Sequence, residues 1–157
     1  MARRYGEFTD RGVQLLGLSV DSVYSHLAWI DSIKDTFHVD VPFPVIADGD
    51  SRVARLYGMT TADGGTTTVR SVFFIGPEQT IRASITYPAA IGRNVAELLR
   101  VMDALQENVS SQGCAIPANW RPGEPTLSPA PTTTASWQER RTAADAGVKA
   151  WYYKVNE

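Results

Sequence analysis

Cys114 is the single cysteine among 157 residues, and it is the only side chain here that could act as a soft nucleophile. A thiolate attacks peroxides and disulfides, and a basic neighbour or a helix start lowers the cost of forming one. Neither stands beside Cys114 in the sequence. The residues therefore favour a packed, unreactive thiol, with a redox thiol as the alternative. A lone cysteine forms no internal disulfide, which fits a reducing compartment; the cytoplasm is the expected location. The two histidines, His26 and His38, and this cysteine give no metal-ligand spacing. Gly64-Gly65 lies in a Thr/Gly-rich stretch, Thr60 to Thr68, without the Gly-Lys-Ser/Thr ending or the strand-to-helix context of a phosphate loop. No metal and no cofactor are expected. Trp120, Trp137 and Trp151, with Tyr152 and Tyr153, could form an aromatic contact surface, because large aromatics anchor interfaces.

Composition narrows the classes further. Hydrophobic residues make up 43% and charged residues 20%, as in a globular domain. Fifteen basic against seventeen acidic residues, net charge -2, argue for neither nucleic acid nor a membrane surface as partner. No apolar run approaches the roughly 20 residues of a membrane helix. Met1-Ala2-Arg3-Arg4-Tyr5-Gly6-Glu7 has no apolar segment after its charges, so it does not read as a signal peptide.

The elements that would position these residues follow from periodicity. Residues 3–10 read as the end of a helix stopped by Gly12. Val13 to Val20 is nearly continuous in apolar residues and reads as a strand buried on both faces. Asp21-Ser22 can cap a helix carrying Val23, Leu27 and Ile30 at helical spacing, with Trp29, Ile33 and Phe37 widening the face. Pro42 and Pro44 close that region. Pro44 to Ala47 is a short strand, and Asp50 can cap a short helix from Ser51 to Tyr57. Val69 to Ile75 reads as a second buried strand, ended by Gly76-Pro77. Ile81, Ala83, Ile85 and Tyr87 alternate with polar residues, the pattern of an antiparallel strand with one wet face. Val95, Leu98, Leu99, Met102 and Leu105 stripe a helix from about Asn94 to Glu107. Five prolines from Pro117 to Pro131 mark an extended tail with a short helix near Trp137 to Ala146; its aromatics suggest an arm packed on this chain or on a partner. The order points to an α/β sheet with helices on both faces.

Five segments resemble, in order, the 1-Cys peroxiredoxins of the alkyl hydroperoxide reductase/thiol-specific antioxidant superfamily. They are Leu18-Ser19-Val20-Asp21-Ser22-Val23 with His26-Leu27-Ala28-Trp29; Val41-Pro42-Phe43-Pro44-Val45-Ile46-Ala47-Asp48; Val69-Arg70-Ser71-Val72-Phe73-Phe74-Ile75-Gly76-Pro77; Tyr87-Pro88-Ala89-Ala90-Ile91-Gly92-Arg93-Asn94; and Pro117-Ala118-Asn119-Trp120. The resemblance implies a thioredoxin-like peroxiredoxin fold, a partial domain over 1–110 and a C-terminal arm over 111–157. It also implies thiol-dependent reduction of hydrogen peroxide and organic hydroperoxides, with an external thiol as reductant. Arg70 matches the family arginine beside the peroxidatic thiolate.

The family's Pro-x-x-x-Thr-x-x-Cys turn has no counterpart in this sequence. The expectation is a chain that lacks the stretch bearing the peroxidatic cysteine, whether through a misassigned start, a gene fragment or a separately supplied N-terminal half. The strand in that stretch would lie between those at 13–20 and 69–75, leaving both without a neighbour. Cys114 would then be at most a displaced resolving cysteine, since Ile116 stands where 2-Cys relatives place theirs. Glu78 matches one of three parts of a lipase-like site found in some members, and one part is no site. His26 is expected to be exposed or supporting. The implied partner is a second copy in a homodimer, or a chain supplying the missing strand. The alternatives to an enzyme are a non-catalytic scaffold or partner protein and an inactive fragment.

Overall fold

The computed structural model describes residues 1–60, 68–143 and 147–156. The chain divides into two compact units, Met1–Val95 and Ala96–Glu157. The Gly64-Gly65 loop lies outside the described residues, as does Ala146 at the expected end of the last helix.

The first unit opens with a 3-10 turn, Ala2–Arg4, and helix α1, Tyr5–Thr9. Gly12 ends it at φ +68°, a conformation that costs glycine least, and Phe8 is buried. Strand β1 (Gly17–Ser19), helix α2 (Val23–Phe37) and strand β2 (Val45–Ala47) form a parallel β-α-β unit with Leu18 opposite Ile46. Ser22 caps α2, its side chain accepting from the Ser25 amide at 3.1 Å. The helix stops before the prolines, at His38, whose φ of 52° turns its N–H back to the Lys34 carbonyl.

The strand expected over 13–20 is three residues long and half-buried, not buried on both faces. Its length is set by its partner: the Asp48 amide donates to the Ser19 carbonyl at 2.8 Å, and there β2 turns away. The turn leads into α3, Arg52–Leu56, where Asp48 rather than Asp50 does most of the capping. The Asp48 carboxylate accepts from the Val53 amide at 3.0 Å and from the Ala54 amide at 2.7 Å, while Asp50 accepts from Arg52.

Strands β3 (Arg70–Ile75) and β4 (Ile81–Tyr87) form an antiparallel hairpin with Val72 opposite Ile85 and a bulge after Phe74. The hairpin and the β1–β2 pair are separate two-stranded sheets. The consequence shows on α2. His26 is buried, but Val23, Leu27, Trp29 and Phe37 of its expected apolar face are exposed. Neighbouring strands lie about 4.8 Å apart, so a two-stranded sheet is too narrow to cover so broad an apolar arc.

The second unit is built on α4, Val95–Ser110, which buries Leu98 and Leu99. Gly113, at φ +96°, reverses the chain. Ala115 and Leu127 then exchange backbone hydrogen bonds of 2.8 and 2.9 Å. The tail is more regular than its prolines suggest. Strand β5 (Thr126–Leu127), helix α5 (Thr134–Thr142) and strands β6 (Val148–Ala150) and β7 (Tyr153–Asn156) fold into an antiparallel sheet in the order β5-β7-β6. Thr133 and Ser136 form a reciprocal cap on α5. Of the tail aromatics, Trp120 is buried, with its Nε1 donating to the Glu124 carbonyl at 2.8 Å, whereas Trp151 and Tyr152 are exposed.

Asp48 gives a pH test of this fold. Burial works against its charge, but the amides of Ala54 and Val53 outweigh it, and the carboxyl titrates below its ordinary value of 3.8. A depressed carboxyl contributes stability that is present above 3.8 and lost as pH falls through the lower native value. Urea unfolding should show Asp48→Asn less stable than wild type at neutral pH. The gap should close as the buffer is taken below the native titration.

Candidate active site

Arg70 is the first residue of β3, and its guanidinium donates to the Ala89 carbonyl at 2.7 Å. That bond ties the strand's start to the segment following β4. The same segment brings in a second guanidinium: Arg93 donates to the Ser71 carbonyl at 3.4 Å. Desolvation, then repulsion from Arg70, pushes the Arg93 pKa below the ordinary arginine value. Among the described residues neither arginine has a carboxylate ion-pair partner. Two guanidiniums held by backbone carbonyls and repelling each other make an electrostatic site for an anion. Such a pair can stabilise a thiolate and the negative oxygen leaving a peroxide. Arg93 is the functional candidate that sequence reasoning passed over. It stood in a quoted motif, and the signal was its place, six residues after a strand end that faces Arg70.

A second polar cluster sits at the C-terminal end of β1. Ser19 Oγ lies 2.6 Å from His26 Nε2 and donates to Asp21 Oδ2 at 2.6 Å. The side chain expected to be exposed or supporting is 7% exposed, and its Nδ1 is buried without a partner. The arrangement is not a hydrolytic triad. A carboxylate only accepts, so the serine proton is directed to Asp21 and not to the imidazole that would have to remove it. Glu78 is likewise no part of a lipase-like site: it accepts from Thr80 at 2.7 Å and pairs with Arg82 at 3.2 Å, bracing the β3–β4 turn.

Cys114 belongs to the second unit and is 2% exposed. Its Sγ lies 3.9 Å from the Glu107 carbonyl, and Asn108 Nδ2 donates to the Cys114 carbonyl at 2.7 Å. Arg100 lines the same shallow groove but is engaged by Glu97 at 2.7 and 2.9 Å and by the Trp120 carbonyl at 3.3 Å. No group of His, Cys, Asp and Glu among the described residues could hold a metal ion. No helix among them is long and apolar enough to cross a membrane.

An anion should find the arginine pair. Sulfate should raise the thermal midpoint of the chain more than that of Arg70→Gln or Arg93→Gln, by an amount that grows with the logarithm of one plus the ratio of its concentration to its dissociation constant. Equal rises in all three proteins would show only the general stabilisation that sulfate gives.

Comparison with known proteins fits this geometry. Residues 1–84 match the AhpC/TSA family, and residues 104–142 match the C-terminal domain of 1-Cys peroxiredoxin. A peroxiredoxin of Thermoplasma volcanium is 50% identical over 151 residues, covering 96% of this chain and 72% of the relative. The solved yeast mitochondrial 1-Cys peroxiredoxin superposes with a TM-score of 0.81 at 37% identity, over 99% of this chain and 75% of that one. A mutant of peroxiredoxin 6 of Arenicola marina gives 0.77 at 34% identity, over 99% and 76%. The fold is therefore the mixed α/β, thioredoxin-like peroxiredoxin fold, and the chain belongs to the AhpC/TSA family of peroxiredoxins, whose family function is thiol peroxidase.

Proposed function

We propose that this chain contributes the oxyanion-stabilising half of a hydroperoxide-reducing site, Arg70 with Arg93, and that the attacking thiolate comes from outside residues 1–157. The carrying observation is the pair of guanidiniums with no described carboxylate partner, in a chain whose one cysteine is 2% exposed in another unit. The chemistry follows from that charge. A cysteine thiolate attacks the distal oxygen, and the O–O bond breaks. The departing oxygen leaves as alkoxide or hydroxide beside the arginines and takes a proton, and the sulfur becomes a sulfenic acid. One external thiol then forms a mixed disulfide with loss of water, and a second displaces it. The yeast mitochondrial relative resolves its thiol through glutathione and thioredoxin systems, and we assign the same reductant class here. We assign the peroxidatic cysteine turn to polypeptide other than residues 1–157, and the working partner to a second copy or to a chain that supplies the turn. The single cysteine supports a reducing location, the cytoplasm.

A second reading has its own support. The burial of Cys114 and the exposed apolar side of α2 favour a non-catalytic scaffold that pairs with a complete peroxiredoxin.

One experiment separates them. Hydrogen peroxide is added to the purified chain, to Cys114→Ser, and to each mixed with a synthetic segment carrying the family's Pro-x-x-x-Thr-x-x-Cys turn. Peroxide loss and protein mass are followed. The proposal expects no fast loss with either protein alone and fast loss with both mixtures. Arg70→Met should lower that rate by about 100-fold, the usual cost of one oxyanion donor. Fast loss by the chain alone, abolished in Cys114→Ser, would make Cys114 the redox thiol. Slow loss in every mixture would leave the scaffold.

A further inference from the structure

The two guanidiniums of the candidate site are not held equally. Arg70 is half-buried, and its bond to the Ala89 carbonyl, at 2.7 Å, is a full hydrogen bond. Arg93 is exposed, and its bond to the Ser71 carbonyl is 3.4 Å long, outside the roughly 2.7–3.2 Å of an ordinary one. Arg70 also repels it. A long side chain on a weak tether keeps much of its rotamer freedom. Oxyanion stabilisation, however, depends on donors fixed in place before the charge develops. Another group has to hold Arg93.

Tyr87 stands where it can. It is the last residue of β4 and lies directly opposite Arg70 in the hairpin register. Directly opposed residues of an antiparallel pair project on one face, so Tyr87 and Arg70 share a face. The neighbouring pair, Ser71 and Thr86, takes the other face, where the two hydroxyls meet at 2.9 Å. Tyr87 also ends the half-buried row Ala83, Ile85, Tyr87. Its ring thus continues an apolar stripe and its hydroxyl is a polar tip at the strand's end. Beyond it the chain turns, the Ile91 amide donating to the Pro88 carbonyl at 2.9 Å, and Arg93 comes back onto Ser71, the residue next to Arg70. Burial and then Arg70 push the Arg93 pKa down, and the Tyr87 phenol oxygen works the other way. A phenol suits this place. A carboxylate would neutralise the guanidinium and compete with an incoming anion. A phenol oxygen accepts one N–H and leaves the charge and the other donors of the guanidinium for the ligand.

We propose that Tyr87 is a positioning residue for the peroxide chemistry: its phenol oxygen accepts from the Arg93 guanidinium and fixes it beside Arg70 in the geometry that an oxyanion meets. The inference rests on the oxyanion reading of the arginine pair and names the residue that organises it. Tyr87 acts through Arg93 and not on the peroxide itself.

The test compares the full chain with Tyr87→Phe, which keeps the ring and removes the oxygen, and with Arg93→Gln. Without added anion, exchange of the Arg93 side-chain N–H protons is followed by NMR beside that of Arg70. Tyr87→Phe should speed exchange at Arg93 by about tenfold, the usual worth of one hydrogen bond, and leave Arg70, tied to Ala89, unchanged. The sulfate dissociation constant, read from the thermal midpoint against concentration, should rise by about tenfold in Tyr87→Phe, while the midpoint without sulfate scarcely moves. Unchanged exchange at Arg93 would overturn the proposal, and so would a sulfate affinity that Arg93→Gln weakens and Tyr87→Phe does not. Faster exchange at both arginines, with a lowered midpoint, would overturn it in favour of a tyrosine that only packs. Neither readout needs a thiolate, so the peroxidase reading and this one can fail separately.

Discussion

Backbone groups must find partners, and that requirement organises the first unit more than any side chain does. Each buried N–H and C=O needs a hydrogen bond or water. Within β1 the odd-numbered residues satisfy theirs through β2, and the even-numbered ones turn outward. Within β3 the Ser71 carbonyl faces away from β4 and accepts from Arg93 instead of from a strand. Phe73, two residues on, turns the same way by alternation. The two short sheets are thus each finished on one side only. The exposed apolar side of α2 expresses the same constraint one layer out, because a helix is covered only as far as the sheet beneath it extends.

The arginine pair lies along one of those open sides. Arg70 begins the strand whose outer side is open, and Arg93 sits on the outer side itself. Whatever occupies the edge of β3 meets the arginine pair directly. The pair's charge repulsion is a cost that an incoming thiolate or oxyanion would offset. The second unit carries no such tension. Trp120, Leu98, Leu99 and Cys114 are buried, and its hydrogen bonds close locally through Arg100, Asn108 and Glu124.

Much of this was legible in the sequence, for identifiable reasons. The α2 and α4 periods, the β3–β4 alternation and the Gly12 stop are local signals, and each element stands within a few residues of its expected place. Arg70 stood in a family-like motif, and the structure places it as the first residue of β3. What escaped depends on contacts that local pattern does not carry. Asp48 lies too far before α3 to look like its cap, yet the turn folds it back onto the helix amides. His26 is buried by Ser19, seven residues away on another element. The Arg93 role needs the hairpin to bring 70 and 93 together. The strands of the tail escaped for a different reason: β5 and β6 are two and three residues long, and β5 pairs with β7, 30 residues on for Thr126 and Asn156. A ladder that short leaves no alternation to read.

The Arg93 guanidinium over Ser71 also bears on how the chain behaves in a crowded solution. Open strands join to one another unless something charged or bulky stands in the way. On β3 a cation lies across the outer edge, and two approaching copies would bring like charges together. On β1 the outward residues are Leu16, Leu18 and Val20, with no charge among them. The two edges are therefore unequal as seeds of aggregation. Self-association would start from β1, and the β3 edge, which carries the Arg93 guanidinium, is the one protected from fibril growth.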